Sequence, residues 1–175
     1  MSQIFKKAAL AATVAFSALL SVSQIQAAES AINETAIGGP VMKHGMQIVA
    51  VYLENVGMHP VPAHGASGDI HVEADIHAIA GNKHGFTKGQ WIPGLSIKYD
   101  IEKVGGGLKA SGSFIPMLAI DGAHYGINMK LAGKGKYNIT YHISPPGKSL
   151  YRHATGSSAV PAWWKPFDVS WEFDY

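Results

Sequence analysis

The sequence predicts an all-β protein, an antiparallel β-sandwich of the immunoglobulin-like kind, on three observations. Apolar and polar residues alternate with a period of two in short runs after residue 45. The runs are bounded by Gly, Pro, Asn and Asp, and no stretch carries a helical stripe. A chain of 175 residues holding seven such runs is long enough for two packed sheets around one core. A small closed barrel is the alternative arrangement.

The first segment is read differently. Lys6 and Lys7 precede an apolar stretch over residues 8–22, and polar residues then end in Gln26-Ala27-Ala28. This is the pattern of a secretory signal peptide, cleaved after residues 1–27. The apolar stretch falls short of the roughly 20 residues of a membrane span, so no insertion is expected after cleavage. Cleavage removes two of 14 basic residues and none of the 12 acidic ones, and the formal charge of +2 becomes zero. With 15% charged and 47% apolar residues, the remaining single domain, residues 28–175, is neither a disordered chain nor a nucleic-acid binder. It has no cysteine. An exported protein of this composition that holds a soft, redox-active metal must use thioether and imidazole.

In chain order the strands are expected over residues 46–53, 70–78, 95–103, 108–120, 125–131, 136–143 and 167–173. Gly105-Gly106-Gly107 reads as a hairpin turn, Asp121-Gly122 as a two-residue loop, and Lys134-Gly135 as a further turn. Residues 57–68 and 144–165 are loops, and loops longer than about 12 residues in a compact domain carry function or lack order. The second holds Arg152, His153 and the pair Trp163-Trp164. That pair reads as packing under the last strand, or else as the stacking platform of a sugar-binding module.

The run Asp69-Ile70-His71-Val72-Glu73-Ala74-Asp75-Ile76-His77 is the most informative. As a strand it turns every even, apolar residue to the core and every odd residue, each an acid or imidazole, to the other face. His71 and Glu73 then stand roughly 6.5 to 7 Å apart, close enough to share one ion or its water. A solvated outer face is the plain alternative. In the later run, a loop at Asp121-Gly122 pairs Ile120 with Ala123 and Ala119 with His124, which makes Met117 the diagonal neighbour of His124. Met117 filling core and His124 closing a turn is the plain reading there. Thioether beside imidazole suits copper, whereas zinc seldom takes Met and magnesium or calcium require oxygen. Glu73 adds a harder oxygen, or a partner for bound water, so iron or manganese would be held more weakly.

The strings DIHVEADIHA (69–78), GNKHGF (81–86), QWIPGLSIKY (90–99), FIPMLAIDGAHYGINMK (114–130), YNITYHISPP (137–146) and WWKPFDVSWEF (163–173) closely resemble the periplasmic iron-transport protein family. These are the FetP-like copper-binding proteins that accompany FTR-type iron permeases. The resemblance runs in colinear order along the whole mature chain. It implies a periplasmic homodimer that binds copper, and iron or manganese as well, close to the dimer interface, with an FTR-type inner-membrane permease as partner. Carried over by position, the copper ligands would be His71, Met117, His124 and His153, with Glu73 beside the metal. The family's pattern near His153 resembles H-R-H, where this chain has Tyr151-Arg152-His153, so the first histidine of that motif is missing.

The other histidines carry less. His77 and His142 read as structural, and His44, His59, His64 and His84 as solvated loop residues. Met42, Met46 and Met58 fill core or recruit Cu(I). The function expected is non-catalytic metal binding in iron uptake. Copper storage is the nearest rival, and a His-rich dismutase fits poorly with a Met in the site and a mature charge of zero.

Overall fold

Isoleucine, valine and tyrosine at alternate positions draw two sheets together. The computed structural model describes residues 33–175, so the signal peptide expected over residues 1–27 lies outside the described residues. The strands are β1 (Thr35–Ala36), β2 (Val41–Lys43), β3 (Met46–Glu54), β4 (Ile70–Ala78), β5 (Ser96–Lys103), β6 (Lys109–Ser113), β7 (Ile115–Ala119), β8 (Gly122–Met129), β9 (Lys136–Ser144) and β10 (Phe167–Asp174). One sheet runs β1-β3-β4-β8-β7, with β2 also on β3, and the other runs β10-β9-β5-β6. All pairings are antiparallel. Ile48, Val72, Ile76 and Ile127 from the first sheet share one core with Ile97, Ile101, Ile139, Tyr141 and Ile143 from the second. This is the expected all-β sandwich. The Tyr141 hydroxyl crosses between the sheets and donates to the Glu73 carbonyl oxygen at 3.0 Å.

Three details differ from the sequence reading. The run 108–120 is not one strand: β6 pairs with β5 in one sheet, β7 pairs with β8 in the other, and buried Phe114 makes the crossing. The inward phase shifts at the crossing, from Ala110 and Gly112 before Phe114 to Ile115 and Met117 after it, but the run of apolar residues from Phe114 to Ile120 masks that shift in the sequence. The short strands β1 and β2 lie before residue 45, where too few residues alternate to register. β2 and β3 are joined through His44 and Gly45, both at positive φ (52° and 77°), a tight hairpin turn that places His44 outside any strand. Lys134-Gly135 sits in the connection from β8 to β9, which passes from one sheet to the other rather than closing a hairpin.

The strand β7 forms an edge of its sheet, and Pro116 sits on it where no ladder N–H is required. Its neighbours β8 and β4 are paired on both sides. The outer face of β4 is not solvated. His71 is 1% exposed and Glu73 5%, because the 57–68 loop folds back over them and is tied down through Asn128 of β8. The other long loop ends in packing: Trp164 is buried, with His44 stacked on it, and His84 is stacked on Trp163. The tryptophan pair is part of the core margin and not an open platform.

Candidate metal centre

The pleat of β4 turns His71 and Glu73 to one face, opposite the core. Across the ladder, His71 pairs with Asn128 and Glu73 with Gly126 of β8, which leaves His124 diagonal to Glu73. Gly126 matters here because a Cβ on it would lie 2.5 Å from His71 Nε2. Without that atom, the imidazole reaches across the strand. On the far side of β8, Met117 stands directly opposite His124. The hairpin loop is Ile120-Asp121, with Ala119 paired to Gly122, so the register expected around Asp121-Gly122 is corrected. The two-residue offset keeps the same face and turns a diagonal contact into a direct one.

The side chains converge. Glu73 Oε1 lies 3.4 Å from His124 Nε2 and 3.6 Å from His71 Nε2. One ligand atom from each of these residues lies within 4.8 Å of the other two. Met117 lines the cavity that opens onto Glu73 and His124.

The imidazole tautomer at His71 follows from its partner. Asn128 Nδ2 donates to the carbonyl oxygens of Val56 (2.8 Å) and Ala66 (3.2 Å), and Asn128 Oδ1 accepts from the Val56 N–H (3.3 Å). The amide oxygen therefore faces His71 Nδ1, at 2.8 Å, and Nδ1 must carry the proton and donate. Nε2 is left with its lone pair free. Both His71 Nε2 and His124 Nε2 are buried without a hydrogen-bond partner. Two orphaned ring nitrogens a few ångströms from a carboxyl group are costly in a finished fold and are what a cation would satisfy.

The charge states point the same way. Burial lowers the pKa of His71 and His124, with the Asn128 bond and Asp121, respectively, pulling the other way. Burial first, then Asp75, Glu34 and Asp121, pushes Glu73 up to about 8. Burial, then Glu34 and Asp121, pushes Asp75 up to about 7. The short contacts between Glu73 and the two imidazoles resemble ion pairs by distance, but burial acts on both partners in the neutralising direction. At neutral pH the group is two neutral imidazoles and a largely protonated carboxyl. A cation entering it displaces one proton and finds nitrogen, oxygen and thioether donors, a set that suits copper.

A family model described as Fe2+ transport protein matches residues 31–175. The chain belongs to the Fe2+ transport protein family. Among the solved structures similar to this family member is a copper-bound variant of FetP from uropathogenic Escherichia coli strain F11. It is 48% identical, covers 81% of this chain and 97% of its own, and superposes with a TM-score of 0.77. A copper-reconstituted protein of Campylobacter jejuni is 38% identical over 81% of this chain and 96% of its own, again with a TM-score of 0.77. A UPF0423 protein of Brucella abortus (strain 2308) is 37% identical across the whole of this chain and 95% of its own length.

Of the residues the family resemblance assigned to the metal, His71, Glu73, Met117 and His124 line one place in this Fe2+ transport family member. His153 does not join them: it is exposed in the 144–165 loop, with Nδ1 2.8 Å from Ser158 Oγ. The sequence reading also passed over Asn128 and Gly126. Both share the alternating face of β8 with His124, and a glycine inside a strand is a sign of close approach. His77 is half-buried on β4, and His142 is held between Asp168 and Asp100 on the outer face of the other sheet.

Proposed function

We propose that this protein is a periplasmic, non-catalytic metal carrier that binds copper through His71, Met117 and His124 with Glu73 beside them. In this reading it takes part in high-affinity iron uptake by presenting iron to an FTR-type inner-membrane permease. The observation that carries it is the pair of buried, unpartnered Nε2 atoms facing the Glu73 carboxyl, one with its tautomer fixed by Asn128. The copper-bound relatives from Escherichia coli and Campylobacter jejuni, and the family to which the chain belongs, support the same reading. His153 enters the reading through a homodimer, in which the histidine of a second copy completes the ligand set. Its exposure on its own protomer is consistent with that role.

The deciding experiment is copper titration of the purified mature chain with elemental analysis, beside His71→Ala and Met117→Leu. One ion per chain in the wild type, weakened in both variants, is expected. No uptake, or unchanged uptake in both variants, overturns the site. Growth of a deletion strain on scarce iron, restored by iron and not by copper, separates iron uptake from copper storage.

A further inference from the structure

In the 144–165 loop, residues 153–159 are all exposed, and hydrogen bonds hold their shape. The Val160 N–H donates to the His153 carbonyl oxygen (3.0 Å), Arg152 Nη1 donates to the Val160 carbonyl oxygen (3.0 Å), and the Ala159 N–H donates to the Gly156 carbonyl oxygen (3.2 Å). Gly156 turns the chain at φ 84°, a left-handed value that glycine takes without strain. The result is a closed spur with half-buried Arg152 and Val160 at its base. Ser158 comes back beside His153, and its Oγ lies 2.8 Å from His153 Nδ1.

Other histidines are held differently. His142 has both ring nitrogens taken by carboxylates, and His84 is held through Nε2 by the Ala162 carbonyl oxygen at 3.2 Å. His153 is held through Nδ1, and its Nε2 has no hydrogen-bond partner among the described residues. That is the arrangement of buried His71, where Asn128 takes Nδ1. On an exposed spur no packing fixes the ring, so this one bond sets both its direction and the nitrogen it offers.

We infer that Ser158 is the positioning residue for His153: its hydroxyl accepts from Nδ1–H, orders the ring on its own protomer and leaves the Nε2 lone pair facing outward as a ligand. The inference rests on the metal reading above, in which the His153 of a second copy completes the ligand set. Ser158 is exposed, so its Oγ can accept from Nδ1 while giving its own proton to water. The reverse bond, from Ser158 to Nδ1, would put the ring proton on Nε2 and turn an N–H towards the cation. A ring ordered in advance loses less freedom on binding, so losing the hydroxyl is read as weaker affinity.

The test begins with the metal-free, full mature chain, in which long-range proton–nitrogen NMR correlations read the His153 tautomer at a pH where its ring is neutral. Nδ1–H is expected in the wild type and in Ser158→Thr, with a shift towards Nε2–H in Ser158→Ala. Cu(II) alone is then titrated into the same proteins, and into His153→Ala, against a chelator of known affinity. Ser158→Ala is expected to weaken binding about tenfold, and Ser158→Thr, which keeps the hydroxyl, to restore it. A wild type protonated on Nε2 overturns the inference, as does a Ser158→Ala affinity equal to the wild type. A loss of affinity with the tautomer unchanged, or one that threonine does not restore, overturns it too, by assigning the effect to the shape of the loop. Unchanged affinity in His153→Ala removes His153 from the ligand set, and the positioning role with it, while the buried group stands. If the wild type takes up no Cu(II), the metal reading itself fails and the positioning role falls with it.

Discussion

Asn128 Oδ1 sits 2.8 Å from His71 Nδ1, and that bond decides which imidazole nitrogen is left for a cation. Replacing the amide with an apolar group of similar size, Asn128→Leu, removes both the tautomer control and the tie to the 57–68 loop. Copper affinity is expected to fall about 10- to 100-fold, measured by competition with a chelator of known affinity. An unchanged affinity would show that His71 needs no such partner.

Gly126→Ala tests the space between the strands. A methyl group there meets His71 Nε2 at 2.5 Å with strand backbone on either side. Overpacking of this kind costs about 1 to 3 kcal/mol, so the thermal midpoint should drop while the sheet persists. On the proposed ligand set copper uptake should be lost, since the displaced atom is His71 Nε2. A variant that binds copper normally would move the site away from His71.

The pH dependence of binding follows from the raised Glu73 pKa of about 8 and the lowered histidine pKa values. Between about pH 6.5 and 8 the imidazoles are neutral and Glu73 still holds a proton that the cation must displace. Affinity should therefore rise by about tenfold per pH unit and level off above pH 8. Glu73→Gln should flatten this slope, as read by isothermal titration in buffers of different ionisation enthalpy. A slope that survives the substitution would assign the released proton to another group.

The metal-free fold should feel the same carboxyl with the opposite sign. A carboxyl whose folded pKa lies above its unfolded value binds its proton more tightly when folded, so it favours the fold at low pH and loses that advantage as pH rises toward 8. Chelator-treated wild type is expected to lose thermal stability between pH 6 and pH 8 more steeply than Glu73→Gln, by scanning calorimetry. Equal slopes would place the ionising group elsewhere.

His142 offers an independent check on the outer face. Its Nδ1 lies 2.8 Å from Asp168 Oδ1 and its Nε2 3.0 Å from Asp100 Oδ2, and these hydrogen bonds raise its pKa. The contribution to stability is present below the ordinary imidazole pKa and is lost as pH rises through the raised one. NMR titration should show His142 still protonated above the ordinary imidazole range, and Asp168→Asn should lower its pKa.

The sequence carried the two-sheet fold and the His71 and Glu73 pair because period-two alternation reports facing directly. It did not carry register. Which residue faces Met117 depends on where the turn closes, and Asp121-Gly122 and Ile120-Asp121 are equally plausible as strings. The crossing at Phe114 was hidden because the residues around it are apolar in succession, so the change of inward phase from even to odd positions leaves no mark in the sequence. Asn128 was invisible as a site residue for a different reason: its importance lies in four hydrogen bonds that gather three residues distant in sequence, Val56, Ala66 and His71, which no local pattern records.

The residues of the candidate site do not stand on equally firm ground. His71 and Glu73 are paired to neighbouring strands on both sides, whereas Met117 lies on the edge strand, next to a proline that donates nothing, and faces His124 beyond the point where the ladder between β4 and β8 ends. Local fraying of a sheet starts at such an edge. On the proposed metal reading, a carrier has to surrender its load as well as hold it, and the edge strand makes the thioether the hinged finger: release would start with Met117 lifting away, while His71, set between two neighbouring strands, would keep the seat in shape for the next ion.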